Sequence, residues 1–270
     1  MGKIIAFANQ KGGVGKTTTC INMSAYLTAM GKKVLAVDLD PQGNTTSGLG
    51  IEKSKLSKSI YNALMGDCSI DDVIAPTGVD NLDIIPSNID LAGAEVEMVY
   101  MEQREKLLQG VLNKLKNTYD YICIDCPPSL GLLTINALTA CDSVIIPIQS
   151  EFFALEGLSQ LMNTIKLVKK HLNPTIEIDG VLLTMFDGRS NLVNSVADEI
   201  YKYFGNKVFE VKIPRNVRLG EAPSYGLPIM QYDPKSSGAL SYQAFTEEYL
   251  TRNNDTFIKI DDPSILKKRY

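Results

Sequence analysis

A chain of 270 residues can hold one large α/β domain or two small ones. Lys and Arg number 27 against 31 Asp and Glu, and the net charge of −4 confines any nucleic-acid contact to a local patch. Hydrophobic residues at 44% exclude disorder, no apolar run reaches the ~18 residues of a membrane span, and five cysteines beside the single His171 point to reduced cytosolic thiols rather than histidine chemistry.

In chain order, the N-terminus has one lysine before a short apolar run and no small-residue cleavage site, so no signal peptide is expected. Runs suited to buried parallel strands fall at Ile4–Ala8, Val34–Val37, Leu82–Ile85, Tyr121–Ile124, Val144–Ile148 and Val181–Met185. Helical spacing covers Thr17–Met30, which Gly31 stops, and then Glu95–Lys116, Leu155–His171, Leu192–Phe204 and Gly238–Arg252. Strands alternating with helices imply right-handed crossovers and an α/β fold: a single doubly wound, mostly parallel sheet with helices on both faces. No Pro/Gly/Ser-rich linker divides the chain. Residues 1–254 therefore read as one domain and 255–270 as a loosely attached tail.

Between the first strand and the first helix stands Lys11-Gly12-Gly13-Val14-Gly15-Lys16-Thr17-Thr18. Glycines there let backbone N–H groups point into one concavity and cradle phosphate oxygens at a helix N-terminus. Lys16 reaches the β- and γ-phosphates as a point charge, and the Thr17 hydroxyl ligates Mg²⁺. The usual pattern places glycine where this chain has Gln10, and Lys11 is an additional cation. Two further segments put carboxylates at strand ends, where open α/β sheets bind ligands. Asp125 closes an apolar strand and suits the Mg²⁺ shell; Asp38 suits support of the metal, and Asp40, one residue into the loop, orientation of the attacking water. Both Asn-Lys pairs, at Asn113 and Asn206, lack the aspartate of guanine-specific loops, which favours adenine and hence ATP.

The Lys11–Thr18 loop resembles the deviant Walker A motif of the ParA/MinD superfamily. Together with Asp38–Asn44, Asp125-Cys126-Pro127-Pro128-Ser129 and Ile213-Pro214-Arg215-Asn216-Val217-Arg218, it makes Met1–Leu250 similar to the chromosomal, Soj-like ParA ATPases. The resemblance implies that Lys11 crosses an ATP-dependent sandwich homodimer to the partner's nucleotide, with Gly12 at the close approach. It also implies that Asp40 is the hydrolytic aspartate and that Pro214 and Asn216 contact adenine. In the same way it implies nonspecific double-stranded DNA and a ParB-type centromere-binding protein as partners, and a cytoplasmic, nucleoid-associated location. Between residues 189 and 218 six basic residues outnumber three acidic ones. Such a patch can neutralise phosphates without reading sequence, and the resemblance singles out Arg189 and Arg218 within it.

Competing features read as structural. Cys123 and Cys126 share one strand segment with no second cysteine pair, which favours packing over a metal cluster of the nitrogenase-iron-protein kind. His171 closes a helix after Lys169 and Lys170, where positive charge suits the dipole. Ile265–Arg269 offers the alternative of a MinD-like membrane switch, but Asp261, Asp262 and Pro263 leave little amphipathic length.

Overall fold

The computed structural model describes residues 1–266. Seven strands form: β1 (Lys3–Phe7), β2 (Val34–Asp38), β3 (Ala75–Pro76), β4 (Leu82–Ile85), β5 (Tyr121–Asp125), β6 (Ser143–Gln149) and β7 (Glu177–Thr184). Their order is β3-β4-β2-β5-β1-β6-β7, parallel throughout except where the short edge strand β3 pairs with β4. Continuous apolar runs are what such a sheet requires, because both faces are covered. Ile4 and Leu35 enter one core cluster, while Ile5 and Ala36 enter the other.

Helices α1 (Lys16–Ala29), α9 (Val217–Glu221), α10 (Ile229–Tyr232) and α11 (Ser237–Arg252) supply the second cluster through Met23, Leu219, Ile229 and Phe245. The opposite face is covered by α3 (Ile60–Met65), α4 (Leu91–Glu97), α5 (Leu107–Leu112), α6 (Leu132–Ala140), α7 (Ala154–His171) and α8 (Asn191–Phe204). One short helix, α2 (Asn44–Gly48), follows β2 directly. The chain leaves β1 with β5 on one side and β6 on the other. That reversal opens a crevice at the carboxyl ends of the strands.

Three expectations need correction. The helix expected over Glu95–Lys116 is broken: α4 ends at Glu97, Gln103 is left-handed at φ 51°, and α5 starts at Leu107. A straight helix of that length would run about 33 Å, roughly twice a five-residue strand, so the chain folds back to keep Leu91, Met98, Leu108 and Leu112 over the sheet. Helix α6 was not expected, because it is buried nearly all round and shows no amphipathic period. The tail is not loose over its described residues. Asp255 accepts from Lys32 Nζ at 2.7 Å and from the Tyr121 hydroxyl at 2.5 Å, the Ile258 amide donates to the Met30 carbonyl, and Ile260 joins the core. The basic cluster Lys267-Lys268-Arg269 lies outside the described residues.

Candidate functional site

Parallel register brings the carboxylates together. Phe7 lies opposite Asp125, and Asp125 opposite Asp38, along the carboxyl edge of β1, β5 and β2. Past β1 the chain turns through Lys11–Gly15 into α1. Gly13 at φ 72° and Gly15 at φ 87° adopt left-handed backbone that a side chain would strain. Gly15 is the N-cap of α1 and offers no side-chain cap. The amides of the first turn are thus left for a ligand, and the helix dipole favours an anion there. Val14 is buried and anchors the loop, its carbonyl accepting from Thr184 Oγ1 of β7 at 2.8 Å.

Gly12, Gly13, Gly15, Lys16, Thr17 and Thr18 line one cavity of about 590 Å³, across which lie Asp40, Pro214 and Asn216. Lys16 is 6% exposed and its ammonium donates to the Lys11 carbonyl at 3.1 Å. Burial pushes its pKa down while nearby Asp125 pulls it up, so an anion in the cavity would relieve the desolvation. Thr17 and Thr45 hydroxyls both donate to Asp125 Oδ2, at 2.7 and 2.8 Å, whereas Asp125 Oδ1 is buried with no partner. Burial, and then the charge of Asp38, push the Asp125 carboxyl up to about 7. An unpartnered buried carboxylate oxygen beside a threonine hydroxyl is a donor set that suits a hard divalent cation or its water shell.

Asp38 is held differently. The amide and hydroxyl of Thr46 donate to its Oδ2 at 2.7 Å each, and the Asp40 amide donates to Oδ1 at 3.2 Å. Burial raises its pKa to about 6. Both oxygens therefore brace the loop that carries Asp40, rather than facing the cavity. Asp40 itself is 7% exposed and caps that loop, accepting from the Gln42 amide at 2.9 Å. On the far wall Asn216 N-caps α9 through the Arg218 amide at 2.8 Å and donates to Ser237 Oγ at 2.7 Å. Met185, left-handed at φ 48°, lines the same cavity at the end of β7.

Lys11 stands apart: its side chain does not line the cavity but pairs with Glu151 in the β6–α7 loop. Sequence reading missed Glu151, 140 positions away, and also Thr45 and Thr46. Only the last two left a signal, as adjacent hydroxyls just past the Asp38–Asn44 segment.

The basic segment is less free than its composition suggests. Arg189 Nε and Nη2 donate to the two oxygens of Asp187 at 2.8 and 2.7 Å, and Arg218 donates to Glu221 at 2.8 Å. Widening the window to residues 187–221 takes in both partners and cuts the basic excess from three to one. Lys207 donates to the Ile178 carbonyl, and Lys212 sits 4.4 Å from the Phe186 ring centroid. Cys123 and Cys126 are buried, and burial pushes the Cys123 thiol up to about 12.

A family profile described as an AAA domain matches residues 2–178. The chain is 60% identical over 248 residues to the sporulation initiation inhibitor protein Soj of Bacillus subtilis, covering 92% of this chain and 98% of that protein. It is 51% identical over 253 residues to the chromosome-partitioning ATPase Soj of Treponema pallidum, covering 94% and 99%. Among solved structures, cobyrinic acid a,c-diamide synthase from Mycobacterium smegmatis, with bound ADP and magnesium, superposes with a TM-score of 0.82 at 36% identity over 97% of this chain and all of that one. With relatives aligned over almost its whole length and a lysine-bearing glycine loop seated at the carboxyl edge of the sheet, the chain belongs to the ParA/MinD family, among its Soj/ParA chromosome-partitioning ATPases.

Proposed function

We propose that this chain binds ATP with Mg²⁺, forms a sandwich homodimer in that state, and holds double-stranded DNA without sequence preference. Hydrolysis, stimulated by a ParB-type centromere-binding protein, releases it, and the cycle runs in the cytoplasm on the nucleoid. The carrying observation is that Lys16, Thr17 and Asp40 converge on one cavity while Lys11 is left outside it.

Each residue has a role that follows from its position. The loop amides around Gly12–Gly15 and the Lys16 ammonium bind the phosphates. Thr17, with Asp125 behind it, would hold Mg²⁺, and bound Mg²⁺ would neutralise phosphate charge. Asp40 orients the attacking water and accepts its proton. Pro214 and Asn216 flank the base on the far wall. In the lone chain Lys11 is engaged by Glu151. A second chain presenting its phosphates draws Lys11 across, and the added cation stabilises charge spread over the transferring phosphoryl oxygens. Dimerisation also doubles a weak DNA contact into a bivalent one.

DNA co-sedimentation with ATP, with ADP and without nucleotide tests the reading, repeated over a salt series. Binding in ATP alone, weakening steeply with salt, is expected. Equal sedimentation in all three states overturns the coupling.

A further inference from the structure

One turn of α1 faces two ways. Thr18 lines the nucleotide cavity, and four residues on, Asn22 is 4% exposed with both ends of its side-chain amide engaged. Its Nδ2 donates to the Thr18 carbonyl at 2.8 Å, and its Oδ1 accepts the Ile229 amide at 2.7 Å. Ile229 opens α10, and Pro228 before it brings no side-chain cap. Asn22 therefore caps a helix that is not its own. Asparagine is a poor choice for a helix interior on propensity alone, and this cap is what it supplies.

A second element of the nucleotide site meets the same turn. The loop that carries Asp40 runs into α2 and reaches Gly50, whose backbone touches that of Gly226: a Cβ on Gly226 would come 2.6 Å from Gly50 Cα. Both glycines are left-handed, at φ 83° and 66°. The start of α10 is thus clamped between the helix that begins at Lys16 and the segment that follows Asp40.

The other end of α10 reaches the basic surface. Tyr232, its last residue, donates through its hydroxyl to Glu221 Oε2 at 3.0 Å, the same oxygen that accepts Arg218 Nη1 at 2.8 Å. Asp233, the next residue, lies 3.5 Å from Arg218 Nε. A four-residue helix has too few internal hydrogen bonds to hold its own place, so α10 sits where its cap and its neighbours put it. We propose that Asn22 is a positioning residue: it ties α10 to the phosphate-loop end of α1, so that nucleotide occupancy sets how firmly Tyr232 and Asp233 hold Arg218 back from a polyanion. This step within one chain rests on the partitioning reading above. ATP and ADP differ by the γ-phosphate, whose contacts with Lys16 and the Asp40 loop supply the differential binding that such a shift requires.

The chain contains no tryptophan, so Tyr225→Trp gives a single reporter of α10; the Tyr225 ring stands 5.0 Å from that of Tyr232. Its emission should shift with ATP and less with ADP. In N22A/Y225W the shift should be lost, while equilibrium dialysis returns the wild-type ATP affinity and size-exclusion chromatography the ATP-driven dimer. Anisotropy of a labelled DNA duplex gives the second readout: N22A should cut the ratio of affinity with ATP to affinity with ADP about fivefold. Y232F/D233N should lower the same ratio by raising the affinity with ADP, and adding N22A to that background should change nothing further, as for groups on one route. A full emission shift in N22A/Y225W overturns the assignment, as does loss of ATP affinity in N22A, which would give Asn22 to the nucleotide site itself. Should N22A not fold, Y232F/D233N decides alone, and a wild-type ratio there overturns the proposal. If the unaltered chain binds DNA equally with ATP and ADP, the partitioning reading fails, whereas an emission shift that N22A abolishes still upholds the tie between α10 and the nucleotide.

Discussion

The carboxyl edge of the sheet and the basic surface over residues 187–221 treat charge in opposite ways. At the edge, Lys16, Asp38 and Asp125 are buried at 6%, 0% and 0% exposure and held by three threonine side chains and by backbone. On the basic surface, the Arg189 and Arg218 side chains are 90% and 53% exposed; Asp187 holds the first, and Glu221 and, at 3.5 Å, Asp233 hold the second. A buried charge is costly unless it is partnered, so its neighbours are fixed residue by residue and removing one breaks a function outright. An exposed ion pair contributes little, so its members can exchange partners with a passing phosphate. The first region suits chemistry that demands one geometry, the second reversible adhesion to a polymer that offers the same phosphate everywhere.

The sharpest way to break this contrast is Lys16→Ala. It removes the only lysine lining the cavity among the described residues and should abolish ATP binding or, at the least, turnover. Equilibrium dialysis and a phosphate-release assay check it; unchanged affinity and rate would remove the nucleotide site from this edge. Asp40→Ala is narrower. It should leave ATP affinity and the ATP-driven dimer intact while turnover falls by a factor of about 10²–10⁴. Size-exclusion chromatography with ATP decides, since failure to dimerise would give Asp40 a binding role instead.

On the exposed side, Arg189→Glu or Arg218→Glu should eliminate measurable DNA binding in a dimer that still assembles. The change is made twice per dimer and replaces attraction by repulsion. Retained binding across a salt series would move the patch elsewhere, with the C-terminal basic cluster as the next place to look. Back in the buried region, Thr46→Val tests cost rather than function. Thr46 Oγ1 donates to Asp38 and accepts from the Ser87 amide at 2.9 Å, so valine strands that buried amide and leaves Asp38 Oδ2 with the backbone amide of residue 46 alone. A loss of about 1–3 kcal/mol is expected from denaturant midpoints; a shift near zero would mean that Asp38 is not what braces the Asp40 loop.

How much of this was legible in the sequence follows the same division. Six strands were readable within a residue or two at most ends because sheets covered on both faces demand continuous apolar runs; only β7 starts well before its expected Val181. The glycine loop was readable because left-handed backbone at Gly13 and Gly15 leaves few alternatives to glycine. Helix α6 was not, since burial on all sides erases the period that marks a helix. Glu151 was not, because nothing local ties it to a lysine on another strand's loop. The packed tail was missed because its anchors, Asp255, Ile258 and Ile260, look like ordinary loop residues until Lys32, Tyr121 and Met30 are brought beside them. Asp187 and Glu221 were missed for a simpler reason: both lie just outside the window in which the basic residues cluster.

Those partners give the smallest effect and the most discriminating one. The Arg189 guanidinium, hydrogen-bonded to Asp187, holds that carboxyl down at about 2, so the pair stays charged at any pH the chain meets in a cell. Glu221 is likewise held below the usual carboxylate range by Arg218. If these arginines hold DNA as proposed, a phosphate competes with each carboxylate for the guanidinium. Asp187→Asn or Glu221→Gln should therefore tighten DNA binding in the ATP state, but only about two- to fivefold, because exposed pairs are weak and already screened by salt. The gain should shrink as salt rises, since the competing pair and the phosphate contact are screened together. Basal ATP hydrolysis should not move, because neither carboxylate lines the nucleotide cavity. Co-sedimentation at low and at physiological salt measures the difference. A gain of a hundredfold would mean that these carboxylates act as a built lock. A loss would mean that they hold the arginines in the orientation that DNA needs, and the exposed region would then be as preorganised as the buried one.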